Sequence, residues 1–135
     1  MTRLTIEESE KKLTQDEFSD FEKYFGKKLP DSFKNFYLEN NGGYLSENGQ
    51  SSPLLFSGFI SIKYGKVPIE KIYQDLIDNF LDLKDMVPFA DDEGGNCFLL
   101  SLRDKDYGKI YIWLMDEKEL AFVCESFDSF INELS

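Results

Sequence analysis

No histidine occurs in the 135 residues of this chain. That absence removes Ser-His-Asp and Cys-His catalysis, histidine general acid–base chemistry and histidine-ligated metals. An enzymatic reading would have to run on carboxylates, lysine or tyrosine. Cysteine is scarce as well, at two residues, Cys97 and Cys124. Two thiols without histidine cannot close a four-ligand zinc site. Each lies in an apolar, strand-like run, so both are expected to be reduced and largely buried. Neither a phosphate-binding P-loop nor a G-x-G-x-x-G occurs. No apolar run nears the ~20 residues of a membrane span. The start, Met1-Thr2-Arg3-Leu4-Thr5-Ile6-Glu7-Glu8, has no apolar signal core. A cytoplasmic protein with no cofactor, no metal and no membrane partner is expected.

Positive charge is in short supply too. The chain has 15 Lys+Arg against 26 Asp+Glu, a net charge of −11. Residues 82–135 hold 13 acids and 5 bases, whereas residues 1–81 hold 13 and 10. A nucleic-acid binder carries the opposite sign, so no nucleic-acid partner is expected. An acidic surface steers basic partners toward it, although acidity also serves plain solubility. What the chain has in plenty is apolar and aromatic: 41% hydrophobic, with 13 Phe. That fills the core of one domain and is too little for two. The reading is a single domain over 1–135, with the polar residues 1–13 as an N-terminal arm or a frayed helix.

The periodicity places the elements. Thr14 with Glu17 spells a capping box, and Phe18, Phe21 and Phe25 follow at helical spacing up to Gly26. A second helix starts near Pro30, carries Phe33, Phe36 and Tyr37 on one face, and stops at Asn40-Asn41-Gly42-Gly43. Residues 44–53 read as a polar loop and Leu54–Ile62 as a strand. Pro68 opens a helix whose stripe is Ile69, Ile72, Tyr73, Leu76, Ile77 and Phe80. Cys97–Leu102 and Lys109–Met115 read as two strands joined by the turn Arg103–Gly108. Ile110–Leu114 is apolar on both faces, which predicts a central strand. A short strand, Ala121–Cys124, leads into a last helix capped by Ser126. The order predicts an α+β fold: a single, mostly antiparallel, twisted sheet flanked by helices.

Two blocks carry more than pattern. Leu29-Pro30-Asp31-Ser32-Phe33 with Asn41-Gly42-Gly43 is followed by Val87-Pro88-Phe89-Ala90-Asp91-Asp92 and Gly95-Asn96 before a strand. Gly108-Lys109-Ile110-Tyr111-Ile112-Trp113 and Glu125-Ser126-Phe127-Asp128-Ser129-Phe130 complete the order. This set resembles the signatures of the SUKH superfamily, the SMI/KNR type, over residues 14–135. Residues 44–86 match nothing distinctive in it. The resemblance implies a binding module and no enzyme. Bacterial members look like immunity proteins that neutralise a toxin, often a nuclease, by direct contact. Eukaryotic relatives act as regulatory interaction modules. The implied partner is a basic protein domain, a cognate toxin, because nuclease domains that hold phosphate backbone are commonly basic. Oligomeric state stays open.

Candidate partner-binding residues are Asp91, Asp92, Glu93 and Asn96 on one turn, and the strand aromatics Tyr111 and Trp113. Each has a plainer reading. Asp and Asn in such a turn bond the local backbone, and aromatic strand residues are core by default, although Trp and Tyr also anchor interfaces. A carboxylate metal site at Asp91-Asp92-Glu93 is the remaining reading. It is disfavoured because adjacent acids on a turn diverge and the run does not fit an EF-hand loop. Pro88, Phe89 and Gly95 are expected to be fold residues.

Overall fold

The structure is a computed structural model that describes residues 6–45 and 55–134. Helix α1 (Gln15–Phe25) starts as its sequence dictates. Thr14 Oγ1 accepts from the Glu17 N–H and the Glu17 carboxylate accepts from the Thr14 N–H, so both sides of the capping box close. Gly26, at φ 71°, ends the helix in the left-handed region. Helix α2 (Asp31–Glu39) has Pro30 as its N-cap, one step outside the first turn, where extended backbone suits proline. Asn41 explains the stop that follows. It is fully buried, and its amide bonds the Lys11 and Ile62 carbonyls while its Oδ1 accepts from the Ile62 N–H at 2.7 Å. A Cβ at Gly43 (φ 115°) would sit 2.5 Å from the Glu7 carbonyl oxygen, so only glycine fits beside the N-terminal segment.

That segment includes a short strand, β1 (Ile6–Glu7), antiparallel to β2 (Tyr44–Leu45). Part of the expected arm and of the expected polar loop is thus paired; residues 46–53 lie outside the described residues. The strand expected over 54–62 is shorter, β3 (Phe56–Phe59), and Leu54 also lies outside the described residues. Beyond Phe59 the chain stays buried through Ile62: the Ile60 N–H still donates to the Phe89 carbonyl of the neighbouring strand, after which the backbone bonds Asn41 and the start of α3. Helix α3 (Ile69–Asn79) turns Ile69, Tyr73 and Leu76 inward, as its stripe predicts.

The main sheet has five antiparallel strands in the order β3-β4-β5-β6-β7, where β4 is Met86–Asp92, β5 Cys97–Ser101, β6 Ile110–Leu114 and β7 Glu119–Cys124. Helix α4 (Phe127–Leu134) closes the chain, with Ser126 Oγ accepting from the Ser129 N–H. The expected α+β fold is what the chain adopts: among the described residues, four helices flank a five-stranded antiparallel sheet, and β1 and β2 form a second, two-stranded one. Two readings change. Asp91 and Asp92, which the sequence places on a turn, end a strand that starts at Met86, and the central strand is β5, buried at all five positions, whereas β6 is next to the edge. A run apolar on both faces marks an interior strand without saying which one.

One face of the sheet receives α2 and α4. Phe33, Phe89, Phe127 and Phe130 meet there at ring distances of 5.1–6.1 Å and are fully buried. Tyr37 threads the same core, donating from its hydroxyl to the Ile60 and Phe89 carbonyls at 2.7 and 2.9 Å. Cys97 is free and buried; Cys124 is free but only half-buried, because β7 is an edge strand and its register breaks between Ile110 and Tyr111.

Candidate functional site

The strand register decides which candidate residues can act together. Gly58 lies opposite Asp91, Asp91 opposite Cys97, Cys97 opposite Trp113, and Trp113 opposite Leu120. Residues directly opposite share a face. One row of positions therefore crosses all five strands, carrying side chains on four of them, with Asp91 and Trp113 two strand spacings apart, about 10 Å. Helix α3 lies over the β4 side of this face: Ile72 borders the same cleft as Asp91, and the Phe80 ring packs on Trp113 at 5.0 Å.

Asp92 and Asn96 are turn builders. Asp92 is 8% exposed. Its Oδ1 accepts from the Gly94 and Asn96 N–H groups at 2.9 and 2.8 Å, and its Oδ2 from the Asn96 side-chain amide at 3.0 Å. Asn96 Oδ1 in turn accepts from the Met115 N–H at 3.0 Å. That bond clamps the β4–β5 turn to the end of β6. Gly95 holds φ 85°, so it is a fold residue as expected.

Asp91 and Glu93 are different, since both are exposed. Asp91 borders a cleft of about 370 Å³ whose wall includes Glu8, Glu10, Tyr44, Lys66 and Ile72. Desolvation in that cleft, helped by the neighbouring Asp92 charge, raises its pKa above the ordinary carboxylate value. Among the described residues no group of three or more His, Cys, Asp or Glu is placed to hold a metal ion.

The two aromatic candidates part company. Trp113 is 7% exposed and belongs to the core. Tyr111 is half-buried, and its hydroxyl donates to Asp106 Oδ2 at 2.7 Å. Asp106 also accepts from Ser101 Oγ at 2.5 Å and from the Arg103 guanidinium through both of its oxygens. Burial opposes the Asp106 charge, but these donors outweigh it and hold the carboxyl well below its usual range.

Strand order adds residues that the sequence reading passed over. In an antiparallel meander the β4–β5 and β6–β7 turns lie at the same end of the sheet. Together Asp91–Asn96 and Met115–Glu119 carry six carboxylates, those of Asp91, Asp92, Glu93, Asp116, Glu117 and Glu119, against the single cation Lys118. On β7, Phe122 lies opposite Tyr111 and is 52% exposed. The run Leu120-Ala121-Phe122-Val123-Cys124 shows no polar alternation, so sequence could not say which residue faces out.

Among the described residues no helix is long and apolar enough to cross a membrane. No curated protein matches this chain. Residues 12–133 match the SMI1 / KNR4 family (SUKH-1), whose span covers the capping box, the Asn41 stop, the Asp92–Asn96 turn and the last helix, and the chain belongs to that family.

Proposed function

We propose that this protein is an immunity protein that neutralises a cognate toxin by direct contact, and that the toxin domain is basic, a nuclease above all. It works by binding and carries out no reaction of its own. The family is consistent with that role. The observation that carries the charge half is the acidic end of the sheet, with six carboxylates against one lysine on two turns clamped together by Asn96. Such an end speeds encounter with a basic surface more than it tightens the final complex.

The test is co-expression with the product of the neighbouring gene. This chain should restore growth that the neighbour alone abolishes. The purified pair should associate more slowly as salt rises, because charges are screened beyond ~8 Å at physiological ionic strength. Charge reversal at Glu93 and Glu117, both exposed, should slow association more than it speeds release. Absence of both rescue and binding would remove the immunity reading. An association rate indifferent to salt would remove its electrostatic half alone.

A further inference from the structure

We infer that the partner docks on the part of the sheet left open over β6 and β7, with Phe122 as the anchor, and that the docking segment presents an apolar side chain flanked by lysine or arginine. This rests on the immunity reading and adds to it a surface and the chemistry of what lies there.

The two faces of the sheet are covered unequally. Helix α4 packs on the far face, where Phe130 meets Phe89 and Phe98. On the near face α3 covers the β4 side, and Cys97 and Leu99 of β5 are buried. The cover stops at Phe80, whose ring rests on Trp113. Beyond it, Tyr111 and Phe122 form an edge-on ring pair at 5.8 Å, and Leu120 is only half-buried. Leu81, next to Phe80, is 73% exposed. A partly exposed aromatic pair beside half-covered aliphatics has the composition of an interface centre.

A second observation lies beneath this patch. Trp113 Nε1 is the one buried side-chain polar atom without a hydrogen-bond partner among the described residues. Native interiors seldom leave such a donor unpaired. A docked segment that displaces the Phe80 cover would bring an acceptor to it.

Charge selects the occupant. The acidic end borders the patch, since Trp113 precedes the turn that holds Asp116, Glu117 and Glu119. Arg103 and Lys109 lie over the Tyr111 and Phe122 rings at 5.6 and 5.9 Å, and each is paired with an acid, Arg103 with Asp106 and Lys109 with Glu125 at 3.7 Å. A second copy of this chain would set the same acidic rim against itself in a two-fold contact, and a net charge of −11 opposes that. A basic segment is instead drawn to that rim, and the two local cations are offset by their paired acids.

Trp113 is the only tryptophan, so 5-fluorotryptophan labelling gives one ¹⁹F resonance that reports on this face alone. The labelled protein is titrated with the purified product of the neighbouring gene. The resonance should move, and the β7 amides should gain protection from hydrogen exchange. Phe122→Lys and Leu81→Lys should each weaken binding about tenfold or more. Both positions are over half exposed, and an unshifted free ¹⁹F signal verifies that each variant is folded. Asp20→Asn, exposed on α1 and outside both acidic turns, should change binding less than about twofold. Binding that leaves the resonance unmoved and ignores Phe122→Lys would place the partner elsewhere and overturn this inference while the immunity reading stands. No binding to the unsubstituted protein overturns both.

Discussion

At one end of the sheet Asp106 holds a guanidinium; at the other, Asp92 holds only backbone and amide hydrogens. Asp106, in the β5–β6 turn, gathers Arg103, Ser101 and Tyr111, and nearby Lys27 lies within 3.7 Å of Asp85 and Asp104. Acids and bases there are matched. In the turns at the opposite end Asp92 is satisfied without any cation, and Asp91, Glu93, Asp116, Glu117 and Glu119 stay unneutralised apart from Lys118. The same residue type thus serves as internal structure at one end and as surplus surface charge at the other. Surplus charge in water costs little stability, and it becomes useful when a partner of opposite sign arrives.

A core substitution calibrates that contrast and has the largest effect. Phe89 is fully buried between α2, α4 and the sheet, under both ends at once. Phe89→Ala should cost about 3–5 kcal/mol. Denaturant unfolding measures it. A cost near zero would mean that the aromatic cluster is not what holds the sheet to its helices.

The ends themselves should separate next. Asp106→Ala strips a carboxylate from a largely buried guanidinium and from two hydroxyls, and should cost about 3 kcal/mol. Asp92→Ala removes three neutral donors' acceptor and should cost about 1.5 kcal/mol. If Asp92→Ala proved the costlier, the acidic end would be the structural one and the contrast would reverse.

How far the sequence reached follows the same division. The capping box at Thr14, the Phe18/Phe21/Phe25 stripe, the Pro68 helix and the antiparallel hairpins were legible because each is written in local spacing. Strand β4 was not, because Val87-Pro88-Phe89-Ala90 has no alternation and proline argues against an interior strand. The structure places a register break between Pro88 and Ala90, which accommodates it. At the site, Asp92 and Asn96 were read as partner contacts with a turn-building alternative, and the geometry gives them the turn. Trp113, a core residue by default and an interface anchor by the alternative reading, is core. Phe122, Asp116 and Glu117 were passed over because strand order alone brings the second acidic turn beside the first.

Acid should also tell the ends apart. Asp106 and Glu17 both have depressed pKa values; Glu17 falls to about 2 through hydrogen bonds from Lys63, Tyr64 and the Thr14 N–H. For a depressed carboxylate, the stability it lends is fully present above the unfolded value and is lost as pH falls through the folded one. Stability should therefore drop from about pH 4 downward. Asp106→Asn should remove part of that slope. A slope equal to that of the unsubstituted protein would mean that Asp106 gains nothing from its cation. Thermal unfolding across pH 2–7 reads the slopes.

The smallest effect concerns Asp91, and its sign is the informative part. Its pKa is raised, through desolvation in the cleft and the adjacent Asp92 charge. A raised acid holds its proton more tightly when folded. Its contribution is therefore favourable at low pH and is lost as pH climbs from the ordinary value through the raised one. At neutral pH the ionised Asp91 works against the fold. Asp91→Asn keeps the shape, removes the charge, and should stabilise the protein at pH 7 by a few tenths of a kcal/mol, about the scale of surface substitutions. The gain should vanish below about pH 4, where the aspartate is itself neutral. Asp92→Asn next door should instead destabilise, since its carboxylate is already filled with donors. A loss of stability on Asp91→Asn at pH 7 would make residue 91 a structural acceptor like its neighbour. It would also remove one carboxylate from the surplus on which the contrast between the two ends depends.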